Sequence, residues 1–375
     1  MRQNIAIYQG LTEYWTSAWR AVRHACLLSW RLHLTLLAIT VVYILAEEVV
    51  ANTIGMPTLF PQMLYSAGPG LMIALVSAVL LAAANGIWLL CAVRPRHPLL
   101  YAVRELRQLL RLKRFVMGAT MLVIVQVFIA AMSSFKMMIP RTEGFQWDVW
   151  LANISPSLSG MYAYELLQPI FGYPLVTVVL DRLYSLWFLL VWAVVIWQAF
   201  SVRDLRLSTQ FWMSFLLVWL VLGTLLATVL ASAGPCYYGR ITGLSDPFAP
   251  LMAYLHQVDT QHTLLALKAQ DYLWAMYQKG YVGFANGISA MPSMHISIVT
   301  LLALLGWQVH RGLGIALTLY AGIIVIGSVE LGWHYLPDGI VAVIGTIAIW
   351  QCVGAVLQRK ERARTSEKAQ LLPAT

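Results

Sequence analysis

Eight stretches of this chain stay apolar for about the 20 residues that a helix needs to cross a hydrocarbon layer. They lie near 30–52, 70–93, 115–138, 183–202, 210–231, 294–310, 313–333 and 337–357. Inside lipid every backbone polar group must be paired internally, so such runs fold as helices unless they close into a barrel. Composition agrees, because Asp, Glu, Lys and Arg supply 11% of the 375 residues and hydrophobic residues 60%. A soluble domain carries about 25% charged residues. The expected fold class is all-α, a polytopic membrane protein with about eight transmembrane helices. The sixth run is the weakest of the eight, since 296–309 is short and contains Gln308.

The net charge of +9 does not point to nucleic acid, because the basic residues sit at the ends of apolar runs and form no solvated stripe. Their distribution sets an orientation instead. Nineteen of the 25 Lys and Arg flank the spans on the side that holds both termini, and six (Lys136, Arg141, Arg182, Arg240, Lys268 and Lys279) fall on the other. Cytoplasmic flanks carry the excess of Lys and Arg, so the termini are expected in the cytoplasm. The expected location is a bacterial inner membrane. Four cysteines far apart imply no disulfide framework or zinc cluster, and the first thirty residues do not read as a removable signal peptide.

Three regions follow: residues 1–114 with an interfacial helix and two extra spans, a six-span core at 115–357, and a basic cytoplasmic tail at 358–375. The outer face owns two long connections, 139–182 and 232–293, and long loops are where function concentrates. In the first, aromatics among Pro156, Pro169, Gly160 and Gly172 suggest short helices at the headgroup level. In the second, a helix is predicted from Asp259 or Thr260 as N-cap through Tyr277 to a stop at Gly280, forming a lid.

Two stretches put ionisable groups where a purely structural membrane protein avoids them. In Met291-Pro-Ser-Met-His295, Pro292 and Ser293 suit a helix start whose unpaired N–H groups make an anion site, with His295 in its first turn as a proton donor. In Gly332-Trp-His-Tyr-Leu-Pro-Asp338, His334 closes one span and Asp338 opens the next. A carboxylate four residues from a histidine can hold one ring nitrogen and leave the other as a directed nucleophile or base. The topology places all three groups on the outer face.

At these residues the chain resembles the type-2 phosphatidic acid phosphatase superfamily, whose motifs read K-x6-R-P, P-S-G-H and S-R-x5-H-x3-D. The second is present with Met294 in place of Gly, and His334 with Asp338 keeps the spacing of the third. The arginine of the third motif falls on Ser328, and the first motif is absent; the stretch Ser232-Ala-Gly-Pro-Cys-Tyr-Tyr-Gly-Arg240 occupies its place. This departure resembles the branch of inositol phosphorylceramide synthases, which are inositolphosphotransferases, and sphingomyelin synthases. The resemblance covers about residues 115–357. It implies metal-free phosphoryl transfer without a cofactor, through a phosphohistidine at the outer leaflet. His334 would attack phosphorus, Asp338 would orient it, and His295 would act as acid and then base. Arg240, Ser293 and the backbone of Met294 would hold the phosphate.

The implied partners are membrane lipids, with a lipid phosphate as donor and a hydroxyl acceptor such as ceramide or diacylglycerol. With water as acceptor the same residues would make a lipid phosphate or polyprenyl diphosphate phosphatase. A transporter or non-catalytic lipid-binding protein is the alternative of another class, but transporters place ionisable residues near the midplane between repeats. Glu330, four residues before His334, is either an acceptor for substrate hydroxyls or half of an internal pair. Asp181 and Tyr184, with Arg182, contact a headgroup, or Asp181 and Arg182 form a helix-end ion pair. Tyr238 is a further headgroup candidate, and Asp148 reads as a solvated loop residue.

Overall fold

The computed structural model describes residues 30–56, 112–142, 144–201, 204–280 and 287–370, together with scattered positions between 68 and 94. The expected interfacial helix before Trp30 and the bulk of the expected span 70–93 lie outside the described residues. Thirteen helices carry the rest: α1 (Trp30–Thr53), α2 (Leu112–Thr142), α3 (Asp148–Ser159), α4 (Ala163–Phe171), α5 (Pro174–Ser185), α6 (Trp187–Ala199), α7 (Leu205–Val229), α8 (Tyr238–Thr242), α9 (Ala249–Asp259), α10 (Leu265–Lys279), α11 (Met294–Val309), α12 (Arg311–Glu330) and α13 (Leu336–Gln370). No strand occurs among the described residues.

Among the described residues six helical stretches are long and apolar enough to cross a membrane: α1, α2, α5 with α6, α7, α12 and α13. The protein is an all-α integral membrane protein. Its outer surface is inverted relative to a soluble protein, with Val42 and Leu45 of α1, Val123 of α2, Leu319 of α12 and Ile344 of α13 all exposed. So much contiguous apolar surface needs lipid to cover it.

α11 is the exception in length, and its surroundings explain why. At 16 residues it spans about 24 Å, short of a hydrocarbon layer of about 30 Å. Almost every side is buried, from Ile296 to Gly306, against α6, α7, α12 and α13. A helix that is apolar all round belongs inside a bundle. Its ends therefore meet protein, and the short run near Gln308 is accommodated.

Two boundaries differ from the sequence reading. The span expected at 183–202 begins at Pro174, which has the fixed φ of a first helical residue. Asp181 and Arg182 were placed outside it because charges are costly in a span. Here Asp181 is wholly buried, with Arg182 2.7 Å away and the backbone N–H groups of Leu265 and Ala266 donating to it at 2.9 and 2.8 Å. The second difference is the helix predicted from Asp259 or Thr260. It begins later, at Leu265, as α10; Asp259 instead ends a separate helix, α9, and accepts from Leu264 N–H at 2.6 Å in the turn between the two. Asp181, distant in sequence, caps the second. The stop at Gly280 is as expected, in the left-handed region at φ 63°.

The chain runs down α11, turns at His310 and Arg311, returns along α12, and leaves again as α13. The start of α11, the α12–α13 turn and the helices of both long connections therefore share one end of the bundle. Arg206 and Glu361, 3.5 Å apart, tie α7 to α13 at the other.

Candidate active site

The site forms where three loops are bolted together. Ser232 opens the segment between α7 and α8; its carbonyl accepts from Ala290 N–H at 2.8 Å and its Oγ from Met291 N–H at 3.1 Å. Four residues on, Cys236 N–H donates to the Gly332 carbonyl at 2.9 Å. Gly234, at φ 100°, makes this possible: a Cβ there would stand 2.6 Å from the Trp333 carbonyl. The segment occupying the place of the first motif thus fixes the backbone on both sides of the catalytic candidates.

Asp148 completes the bolt, which the sequence reading missed. It is fully buried, and its carboxylate accepts from Ala233 N–H at 2.8 Å, Gly234 N–H at 2.9 Å and the Tyr335 hydroxyl at 2.7 Å. Burial pushes this carboxyl up from the ordinary range, and the donors act against that. The expectation of a solvated loop residue is corrected. Its partners lie 85 to 187 residues away, and no local pattern marks them.

His334 sits on the α12–α13 turn, 7% exposed. Its N–H and that of Trp333 both donate to the Ser328 carbonyl at 3.0 Å, so the residue standing where the family has arginine closes the turn that carries the histidine. Asp338, in the first turn of α13, is fully buried, and its Oδ2 lies 3.4 Å from His334 Nδ1. Oδ2 also accepts from Tyr335 N–H at 2.9 Å, while Oδ1 has no partner. The histidine and aspartate are in ion-pair range but not yet in an aligned hydrogen bond; such bonds commonly tighten only in the complex with substrate.

Ser293 caps α11, with Oγ 3.4 Å from Ile296 N–H, and its own N–H donates to the Asp338 carbonyl at 3.3 Å. That bond draws the start of α11 onto the start of α13. His295 follows in a wall of aromatic rings: Tyr184 stacks on it at 4.7 Å, Trp187 tilts over it at 4.4 Å and Phe188 meets it edge-on at 5.9 Å. Trp187 Nε1 donates to the His295 carbonyl at 3.1 Å, fixing the backbone as well. Tyr184 also stacks on Trp333 at 6.4 Å, so one ring joins His295 to the turn that carries His334. Met294, the departure from the family motif, is accommodated by Gly223 of α7, where a Cβ would stand 3.1 Å from its sulfur.

The remaining candidates divide. Glu330, at the end of α12, is 1% exposed with neither carboxylate oxygen partnered. Beside it Gln270 donates to the Leu331 carbonyl at 2.8 Å and keeps an unpartnered Oε1; the hydroxyl of Tyr184 and the indole nitrogen of Trp333 are likewise buried and unpartnered. Asp181 is engaged by Arg182 and the start of α10, as described above. Tyr238 is a buried core ring, packed edge-on against Phe248. Arg240 is exposed, its guanidinium over the Trp274 ring at 5.3 Å. An apolar recess lined by Leu151, Tyr162, Tyr164, Phe248 and Leu251 opens beside His334. Among the described residues no three His, Cys, Asp or Glu side chains gather as a metal site.

Residues 137–352, more than half of the chain, match the family model of the PAP2 superfamily. No curated protein and no solved structure matches.

Proposed function

The chain belongs to the PAP2 superfamily, and on that premise we propose that it is a lipid phosphotransferase acting on amphiphilic phosphates through His334, His295 and Asp338. A lipid phosphatase or phosphotransferase kind of activity goes with the superfamily. The observation that carries the finer reading is the pairing of His334 with Asp338 at 3.4 Å beside His295, locked by the Ser293 to Asp338 backbone bond.

In this reading His334 attacks phosphorus with Nε2 while Asp338 holds the Nδ1 proton. The bond from phosphorus to the departing oxygen breaks, and His295 gives that oxygen its proton. The neutral His295 then takes the proton of an incoming hydroxyl, whose oxygen displaces His334 from phosphorus and regenerates the enzyme. Ser293 and the Met294 backbone, at the N–H end of α11, receive phosphate oxygens. The aromatic wall keeps the His295 ring directed, and positioning of this kind supplies much of the rate.

A transferase must prefer a lipid hydroxyl to water. Tyr184 in the His295 wall, with Glu330 and Gln270 at the end of α12, supports that preference, because their unpaired hydrogen-bonding atoms would be satisfied by a hydroxyl-bearing acceptor. The bias of positive charge toward the other face supports a site on the periplasmic side of a bacterial inner membrane.

The test uses detergent-purified wild-type and His334→Ala protein with phosphorus-labelled phosphatidic acid, phosphatidylinositol and polyprenyl diphosphate, with and without ceramide or diacylglycerol. The expected result is a new labelled lipid that needs both acceptor and His334. Label released only as free phosphate would make the protein a phosphatase, and products indifferent to His334 would remove the reading.

A further inference from the structure

A site that moves a phosphoryl group has to meet its negative charge with donors or cations. Arg240 is turned to Trp274, and the arginine of the third motif is replaced by Ser328. Another cation lies against the chain that leads into Ser293 and His295. Lys136, on the last turns of α2, is partly buried, and among the described residues it has neither an ion pair nor a hydrogen bond. Its backbone and Cγ lie 2.9 to 3.1 Å from where a Cβ of Gly287 would stand, so α2 is pressed against the segment leading into Ser293. A lysine without a partner in a span is unfavourable, and proteins keep such groups where an anion comes to meet them.

We propose that Lys136 is the phosphate-binding cation of this site, reaching the substrate phosphate from α2 on the His295 side. The assignment rests on the phosphoryl-transfer reading above. It also explains how a chain without the family's first-motif lysine and arginine can serve the same chemistry: the charge enters from another helix, through a contact that only a glycine at 287 permits.

The experiment is titration of full-length, detergent-purified protein with inorganic phosphate, followed by phosphorus NMR line broadening, for wild type, Lys136→Met, Lys136→Arg and Arg240→Met. Methionine matches the lysine stem and removes only the charge, and each variant is checked for a single symmetric size-exclusion peak. Lys136→Met is expected to weaken phosphate binding about ten- to a hundredfold, the effect of losing one charge-assisted hydrogen bond. Lys136→Arg is expected to retain most of the affinity, and Arg240→Met to lose less of it than Lys136→Met. Phosphate that binds Lys136→Met as tightly as wild type, or that does not bind wild type, would overturn the assignment. Labelled transfer that needs His334 while phosphate binding ignores Lys136 removes this assignment alone. Transfer that survives His334→Ala removes the reading beneath it.

Discussion

A histidine on a turn is only as useful as the groups that aim it. His334 is aimed from two sides: Ser328 holds its backbone, and Asp338 faces its ring, itself held by Tyr335 N–H. Tyr335 in turn donates to Asp148. Asp148→Ala is therefore expected to lower stability by about 1–3 kcal/mol for each buried donor left unpaired, read as a lower unfolding temperature. Turnover should fall with it, while Tyr335→Phe, which removes a single bond, costs less of both. Replacing His295 with Ala is expected to lower turnover about 10²- to 10⁴-fold, the usual worth of a positioned acid–base group, with a smaller effect on substrate affinity. At this scale the sequence was partly legible. His295, His334 and Asp338 stand in short motifs whose spacing carries the chemistry. Asp148 and Lys136 do not, because their partners are brought by tertiary contact and no neighbour in the chain betrays them.

Helices are where the sequence reading misjudged charge. At Asp181 the predicted span was started too late because a buried carboxylate is unfavourable unless paired, and its pairing comes from α10, 84 residues on. The same contact decides where α10 begins. Asp181→Ala should uncap α10 and lower stability by at least about 1 kcal/mol, with hydrogen exchange rising first at Leu265 and Ala266. α7 offers a second test. It carries a wide-turned segment from Val218 to Leu226, and Gly223 in it gives Met294 its room. Gly223→Leu is expected to displace Met294 and depress both activity and unfolding temperature. Adding Met294→Gly should restore part of each, and additivity of the two substitutions would show that they do not share the space.

Across the whole molecule, hydropathy alone yields most of the architecture, since a chain in lipid has few ways to satisfy its backbone. What it cannot yield is which helix stands in the middle. α11 was the faintest of the expected spans because a helix enclosed by protein needs less length than one facing lipid, and it became the centre of the bundle. The charge asymmetry predicts that a cysteine introduced at Arg359 is labelled by a membrane-impermeant reagent only after the inner face is opened. One at Gln261, which is exposed near the site end, should be labelled in intact cells. The central claim is that phosphorus passes through His334. Its most direct test is to incubate the protein with phosphorus-labelled lipid phosphate, quench in alkali and map the bound label. The account predicts an alkali-stable, acid-labile label on His334 that is absent from His334→Ala. Label on any other residue, or label undiminished in that variant, would contradict it.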